Sequence, residues 1–294
     1  MQETTEQRRW LITGARGQLG SELSRILGSR AEGVGHSVLD ITDGRAVSDF
    51  LHEKRPVVVV NAAAWTNVDA AEKPENQRQC HRVNAEAVAV LATACADVGA
   101  LLVQISTDYV FGGDEQRQHP YREDDVCAPV NVYGESKRAG EEAAGSLPRH
   151  LIVRTSGLYS VGKEGPVRGR NFADTMQILG DAGKSLRVVA DQWCTPSFVP
   201  DVAAAVVRLV EADATGIVHV VNQGQTTWHG FAEELFRQQG ADVIVEPIST
   251  AQYPTPAKRP PFSVLSTDRY KGIVGHELPP WQAGLSRYLS GSRY

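Results

Sequence analysis

The chain is poor in everything that would tie it together covalently or through a metal. Its four cysteines, Cys80, Cys95, Cys127 and Cys194, are scattered over 294 residues with no CxxC spacing. That argues against a disulfide framework or a zinc ribbon and fits free thiols in a reducing compartment. The eight histidines include no HExxH, so the two-histidine zinc helix is absent. No apolar run approaches the roughly 20 residues that span a bilayer. The segment Met1 to Arg9 is polar and charged throughout; it reads as a ragged tail, not a signal peptide, and the expectation is a cytoplasmic protein with no membrane partner. There is no cationic excess either. With 30 Lys and Arg against 35 Asp and Glu, the net charge is −5, so the footprint of a nucleic-acid partner is missing. What is present is 41% apolar and 22% charged residues, the composition of a globular protein with one large domain or two intimate ones.

The chemistry begins near the N-terminus. Trp10-Leu11-Ile12-Thr13 is a short apolar run that ends at Gly14-Ala15-Arg16-Gly17-Gln18-Leu19-Gly20, and a helical pattern follows through Leu23, Ile26 and Leu27. A strand, a G-x-x-G-x-x-G turn and a helix form a dinucleotide-binding arrangement. Gly14 allows the tight turn, Gly17 lets the backbone approach a pyrophosphate, and Gly20 lets the helix pack on the strand. The phosphates then lie at the helix N-terminus. The next strand, Gly33 to Ser37, is weak and carries no acid at its end. Arg16 in the glycine loop offers a guanidinium to a 2′-phosphate, which favours NADPH. NADH stays open, because Asp40 follows Gly20 by twenty residues and could hold a ribose hydroxyl, with Ile41 beside the adenine.

Further along, a helix over about 45–54 leads to Val57-Val58-Val59-Val60, a strand buried on both faces, which ends at Asn61-Ala62-Ala63-Ala64-Trp65-Thr66. Small residues at the C-terminal end of a parallel strand leave room for a flat ligand. A single helix is expected from about Asn76 to Val98, ended by Gly99. Leu101 to Ile105 is a strand delivering Ser106-Thr107-Asp108 to the same crevice. Asp114 to Val130 reads as a loop in which Glu123-Asp124-Asp125 is solvated. Tyr133 and Lys137 then share one face of a helix. An ammonium beside a phenol favours the phenolate and lowers its pKa, which suits proton transfer to or from a hydroxyl or carbonyl oxygen. Strands at 151–153, 186–190 and 217–221, a turn at 191–196, helices from Asn171, over 201–210, from Thr226-Thr227 to Gln239 and over 281–289, and a proline-rich 253–261 complete the chain. The order predicts an α/β protein with a Rossmann-like doubly wound parallel sheet and a smaller α/β substrate-binding lobe. The dinucleotide domain is 1–154, with 200–222 returning to it, and the lobe is 155–199 and 223–294.

These blocks, in this order, resemble the extended short-chain dehydrogenase/reductases and, among them, the dTDP-4-dehydrorhamnose reductase family. The residues that carry the resemblance are Gly17-Gln18-Leu19-Gly20, Asn61 to Glu72, Ser106 to Phe111, Tyr133 to Glu141, Arg154-Thr155-Ser156 and Lys258-Arg259-Pro260, and it covers nearly the whole chain. It implies NADPH-dependent reduction of the C4 keto group of dTDP-4-dehydro-β-L-rhamnose, with Tyr133, Lys137 and Thr107 catalytic. Gly14, Arg16, Gly17, Gln18, Leu19, Gly20, Asp40, Ile41, Ala62, Ala63, Ala64 and Thr66 would bind the cofactor with Tyr133 and Lys137. Thr107, Asp108, Asn171 and Arg259 would meet the sugar nucleotide. Two departures are visible. Gly157 stands where the family usually has a tryptophan, so the sugar pocket is expected to be larger or differently closed. Glu22 matches one glutamate of a magnesium-bridged dimer, but Ser197 to Asp201 offers no second one, which argues against that metal; a homodimer stays open. Two alternatives are kept: a 4-ketoreductase for another dTDP-4-keto-6-deoxyhexose, and a non-catalytic NADP-binding regulatory subunit.

Overall fold

The computed structural model describes residues 9–161, 171–183 and 185–292; of the expected N-terminal tail only Arg9 falls among them. The chain opens with β1 (Trp10–Thr13), α1 (Gln18–Leu27), β2 (Ala31–Val34), α2 (Gly44–Lys54) and β3 (Val58–Asn61). A one-turn α3 (Val68–Ala71) leads to α4 (Pro74–His81) and α5 (Ala87–Val98), then β4 (Leu101–Thr107), α6 (Val132–Gly145) and β5 (His150–Thr155). Beyond lie β6 (Leu158–Tyr159), α7 (Phe172–Asp181), β7 (Leu186–Val189), β8 (Trp193–Cys194), β9 (Ser197–Phe198), α8 (Val199–Glu211) and β10 (Gly216–His219). The chain closes with β11 (Thr226–Thr227), α9 (Trp228–Gln239), β12 (Val245–Ile248), α10 (Asp268–Val274) and α11 (Trp281–Leu289).

Six strands form one parallel sheet in the order β10-β5-β4-β3-β1-β2. The chain leaves β1 towards β2 and returns on the other side to β3, so the order reverses between β1 and β3. Ligands bind outside the carboxyl ends of the strands at such a point. Both faces are covered. Leu19, Leu23 and Leu27 of α1 meet Val202, Val206 and Leu209 of α8 on one side, and Val47 and Leu51 of α2 meet Val88 and Leu91 of α5 on the other. The valines of β3 are buried at every position, as a strand between two helical layers requires. A third core gathers Tyr159, Phe198, Phe231, Leu235, Trp281 and Leu285, held by the short pairs β6·β9, β7·β12 and β8·β11. Among the described residues, no helix is long and apolar enough to cross a membrane.

Three expectations need correction. β2 begins two residues before the expected Gly33–Ser37 and ends at Val34, because its parallel register pairs Trp10 with Ala31 and Thr13 with Val34. The single helix over 76–98 is two helices joined by a π turn at Arg82–Glu86. There the buried Asn84 accepts from the Trp65 N–H (2.8 Å) and donates to the Trp65 carbonyl (3.1 Å) and the Ser136 hydroxyl (2.9 Å). A π turn widens the helix locally, and α6 crosses at this place through Gly140, where a Cβ would overlap the Asn84 carbonyl. Nor is the acidic run simply solvated. Glu123 accepts the His219 N–H at 3.0 Å, and Asp125 accepts from Arg117 at 2.5 Å and from the Arg122 N–H at 2.8 Å. The run fastens a loop to the edge of the sheet.

Candidate active site

A cavity of about 410 Å³ lies over the switch point. Gly17, Gln18, Leu19, Gly20, Ala62, Ala64, Thr66, Thr107, Asp108, Tyr133 and Lys137 line it. The turn from β1 into α1 is closed so tightly that a Cβ on Gly14, whose φ is +68°, would sit 2.6 Å from the Ala62 carbonyl. Gly17 caps α1 with no side-chain hydrogen bond. The first N–H groups of a helix have no intrahelical partner, so this end, bare of a side-chain cap and facing a cavity, is built for an anion. A pyrophosphate fits there. Arg16 is exposed, and its side chain lies over Gly35: a Cβ on Gly35 would meet the Arg16 Nε at 3.2 Å. That is just past the end of β2, where a 2′-phosphate on the adenosine ribose would be met. Asp40 is engaged within its own turn. It accepts the Thr42 N–H at 2.9 Å and the Thr42 hydroxyl at 2.8 Å, with His36 at 3.5 Å. The Thr42 N–H is the main cause holding its carboxyl below the usual range.

Opposite the glycine turn, α6 presents Tyr133 and Lys137. Asn131 caps this helix by accepting the Gly134 N–H at 2.8 Å. Gly134 itself is required, since a Cβ there would overlap the Tyr109 carbonyl. Lys137 is buried and donates to the Ile105 carbonyl at 2.6 Å; burial lowers its pKa to about 8. The phenol is not held low, contrary to the expectation from its Lys neighbour. Burial raises the Tyr133 pKa, opposed by a hydrogen bond with Thr107 and reinforced by Asp108. The physical reason is that burial of the phenol outweighs its other surroundings, while the Lys137 ammonium donates to a backbone carbonyl and not to the phenol. Thr107 donates at 3.1 Å to Asp108 and accepts the Tyr109 N–H at 3.2 Å. Asp108 is buried among hydroxyls: Ser156 donates to it at 2.8 Å and Ser263 at 2.5 Å. Burial pushes its pKa up to about 6 against these three hydroxyls.

Below the cavity Glu141, one turn after Lys137, takes Arg154 in a bidentate pair (2.9 and 2.7 Å) and the Ser106 hydroxyl at 2.5 Å. Both charges are buried. Arg154 also approaches the His219 Nε2 at 3.3 Å and stacks over Phe111. Glu141 thus ties the end of β4, through Ser106, and the end of β5, through Arg154, to α6, which sets Thr107 against Tyr133.

Gly14, Arg16, Asp40, Ile41, Ala63, Asn171 and Arg259 do not line the cavity. Ile41 is buried in the core beside α2, and Ala63 packs against the same cluster. Asn171 caps α7 in a capping box with Asp174 and donates to the Ser160 carbonyl at 3.2 Å. Arg259 is paired to Asp69 at 2.8 Å, next to the cavity-lining Val68. Its charge reaches Tyr109, another lining residue. Reading the sequence missed Asp69, Asn131, Ser156 and Ser263 as members of this neighbourhood. Gly157 lines the cavity with φ +52°, and a Cβ there would meet Pro196 Cα at 3.2 Å and Trp228 Cη2 at 3.3 Å. The indole of Trp228 therefore stands close to the place where a side chain at 157 would go. Among the described residues, no three His, Cys, Asp or Glu side chains cluster to hold a metal ion. Glu22 is paired with Arg25 at 2.6 Å, so the residues present do not fit a bridging magnesium.

A crevice of this build, with an anion-ready helix end on one wall and a Tyr/Lys pair on the other, is where short-chain dehydrogenase/reductases work, and that is the class the fold and site define. Within it the chain belongs to the family described as RmlD substrate binding domain, whose model matches residues 8–293. It is 44% identical over 289 residues to dTDP-4-dehydrorhamnose reductase of Streptomyces griseus, covering 95% of this chain and 92% of that one. It is 41% identical over 284 residues to a probable dTDP-4,6-dihydroxy-2-methyloxan-3-one 4-ketoreductase of Streptomyces antibioticus, covering 94% and 93%. Among solved structures, dTDP-4-dehydrorhamnose reductase of Bacillus anthracis in complex with NADP superposes with a TM-score of 0.91 at 36% identity, covering 97% of this chain and all of the other.

Proposed function

We propose that this protein reduces the C4 keto group of dTDP-4-dehydro-β-L-rhamnose to give dTDP-L-rhamnose, using NADPH. The observation that carries the reading is the convergence of Thr107, Tyr133 and Lys137 on the cavity that also holds the bare end of α1. When bound, NADPH supplies the hydride to the carbonyl carbon. The N–H groups at the start of α1 would take its pyrophosphate, Arg16 its 2′-phosphate and Lys137 its nicotinamide ribose. Tyr133 is the general acid. Its raised pKa keeps the phenol protonated near neutrality, the state a reductase needs, and an alkoxide forming at C4 is a stronger base than a phenolate. Thr107 holds the phenol in place and can turn its single proton to the phenolate as it forms, which is the sense in which that hydrogen bond favours ionisation. Asp108 meets the sugar hydroxyls from beside Thr107, and Arg259, at the rim, matches the diphosphate in the bidentate fashion of a guanidinium. Asn171 fixes the start of α7 against Ser160, whose hydroxyl donates to Gln18 at the α1 end of the cavity.

The division into a dinucleotide domain (1–154 with 200–222) and a substrate lobe (155–199 and 223–294) belongs to this proposal, as do a cytoplasmic location and a homodimer formed without a bridging metal. A sedimentation measurement unchanged by a chelator is expected for that dimer. A second reading, a 4-ketoreductase for another dTDP-4-keto-6-deoxyhexose, is favoured by the Trp228 indole beside Gly157, which shapes the sugar wall. NADPH consumption with dTDP-4-keto-6-deoxyglucose, with and without a 3,5-epimerase, separates the readings. Consumption only with the epimerase supports the rhamnose assignment, and consumption only without it supports the second reading. None with either sugar supports a non-catalytic NADP-binding subunit.

A further inference from the structure

The proline-rich segment 257–263 crosses the rim of the cavity as a strap, and it is fastened at nearly every residue. Asp69 accepts the Ala257 N–H at 3.2 Å and the Arg259 guanidinium at 2.8 Å. Asn131 donates to the Lys258 carbonyl at 2.8 Å. Pro260 packs on Gly112, where a Cβ would come within 2.9 Å of it. The Trp193 N–H donates to the Pro261 carbonyl at 2.9 Å, the Ser263 N–H to the Trp193 carbonyl at 2.8 Å, and the Ser263 hydroxyl to Asp108.

Among these anchors Asn131 ties the strap to the catalytic helix itself. Its Oδ1 caps the helix that carries Tyr133 and Lys137, accepting the Gly134 N–H, while its Nδ2 grips the strap that carries Arg259. The side chain is buried, with 4% of the residue exposed, and its backbone is extended, so its place is set by these two bonds and not by strain. An amide is the side chain that can do both, because it offers an acceptor and a donor on one planar group. We propose that Asn131 is a positioning residue that registers the Arg259 strap against the catalytic helix, so that the seating of the ligand's diphosphate and the placement of Tyr133 are set by one side chain. The ligand in this statement rests on the function proposed above; the mechanical coupling does not.

The two ends can be cut separately. Aspartate caps helices as well as asparagine and places its charge favourably at the N-terminus, but it cannot donate to the Lys258 carbonyl. Asn131→Asp should therefore leave α6 intact and loosen the strap. A carboxylate at 131 would face Glu72, which accepts the neighbouring Val132 N–H, so Asn131→Ser serves as the neutral control: its hydroxyl is an uncharged cap, one bond too short to reach the Lys258 carbonyl from the capping position. Asn131→Ala cuts both ends. Hydrogen exchange without ligand is the first readout. In the Asp and Ser variants the Ala257 and Ser263 amides should exchange faster while the Gly134 amide stays protected; in the Ala variant all three should speed up. The second readout is kinetic. In the Asp and Ser variants KM for the dTDP-sugar and Kd for dTDP by calorimetry should rise roughly tenfold, the worth of one such bond, with kcat within a few-fold. Unchanged strap exchange, or faster strap exchange with unaltered KM and Kd, overturns the proposal. A wild type that neither binds dTDP nor turns over a dTDP-sugar sinks the proposed function instead, and the exchange result alone then decides whether Asn131 couples strap to helix.

Discussion

Asp108 gives the site an acid-base signature that can be measured without any substrate. Its carboxyl is buried under three hydroxyl donors, and burial moves its pKa from 3.8 to about 6. At ~1.4 kcal/mol per pH unit, that displacement amounts to about 3 kcal/mol. The sign follows from proton linkage. Between about pH 4 and pH 6 the folded protein holds a proton on Asp108 that the unfolded chain has lost, so stability falls as the pH rises through this window, and the deficit is complete above the folded pKa. Asp108→Asn removes the charge while keeping the shape. The Ser156 and Ser263 hydroxyls must turn to accept from the new amide, which offsets part of the gain at ~1 kcal/mol per rearranged bond. The variant should therefore be more stable than wild type by about 1–2 kcal/mol at pH 8, with the advantage shrinking as pH falls and reversed by a similar amount below about pH 4. Turnover should fall, as expected where a site carries a destabilised group for function. Urea unfolding of both proteins at intervals from pH 4 to 8 is the assay. An advantage of the variant that is independent of pH, or that grows on acidification, would refute the reasoning.

Tyr133→Phe should lower kcat by roughly 10²–10⁴, the usual worth of a general acid, while NADPH still binds; a variant within a few-fold of wild type removes the phenol from the mechanism. Arg16→Ala should weaken NADPH by roughly ten- to a hundred-fold and NADH much less, because a charge-assisted contact is worth about 1.5–3 kcal/mol; equal losses by calorimetry would point to Asp40 as the ribose-binding residue. Gly157→Trp should lose stability by about 1–2 kcal/mol, since φ there is +52° and L residues pay that much in the left-handed region. It should also lower turnover by crowding Pro196 and Trp228, and a thermal melt at or above that of wild type would show that the wall can give way.

Legibility from sequence followed the range of the signal. The run Val57 to Val60, three of whose valines form β3, announces a doubly covered strand, and the glycines of the first turn announce a close helix–strand approach; both messages are local. β2 was placed too late because its residues, Ala31-Glu32-Gly33-Val34, carry almost no pattern and only the register with β1 defines them. β12 passed unnoticed: its four residues include Pro247, and parallel pairing with β7 alone makes it a strand. The break at Asn84 has its cause in Trp65 and Ser136, far away in sequence. The same holds at the site. Tyr133 and Lys137 advertise themselves by helical spacing, whereas Ser156, Ser263 and Asp69 are short polar residues whose partners lie 48, 155 and 190 positions away. Arg259 was visible by its chemistry, but nothing local showed that it is held by Asp69. The pKa of Tyr133 was misjudged for a related reason. Proximity to Lys137 can be read from spacing, but the Ile105 carbonyl that occupies the ammonium cannot.

The most direct measurement of the central claim is the fate of a labelled hydride. The enzyme would be given NADPH carrying deuterium at the transferable position of nicotinamide C4, together with epimerised dTDP-4-keto-6-deoxyhexose, and the product examined by proton NMR. The account predicts dTDP-L-rhamnose with one deuterium at sugar C4 and none elsewhere on the ring, formed by wild type and roughly 10²–10⁴-fold more slowly by Tyr133→Phe. Unlabelled sugar, label at another carbon, or labelling by the Tyr133→Phe variant at the wild-type rate would contradict it.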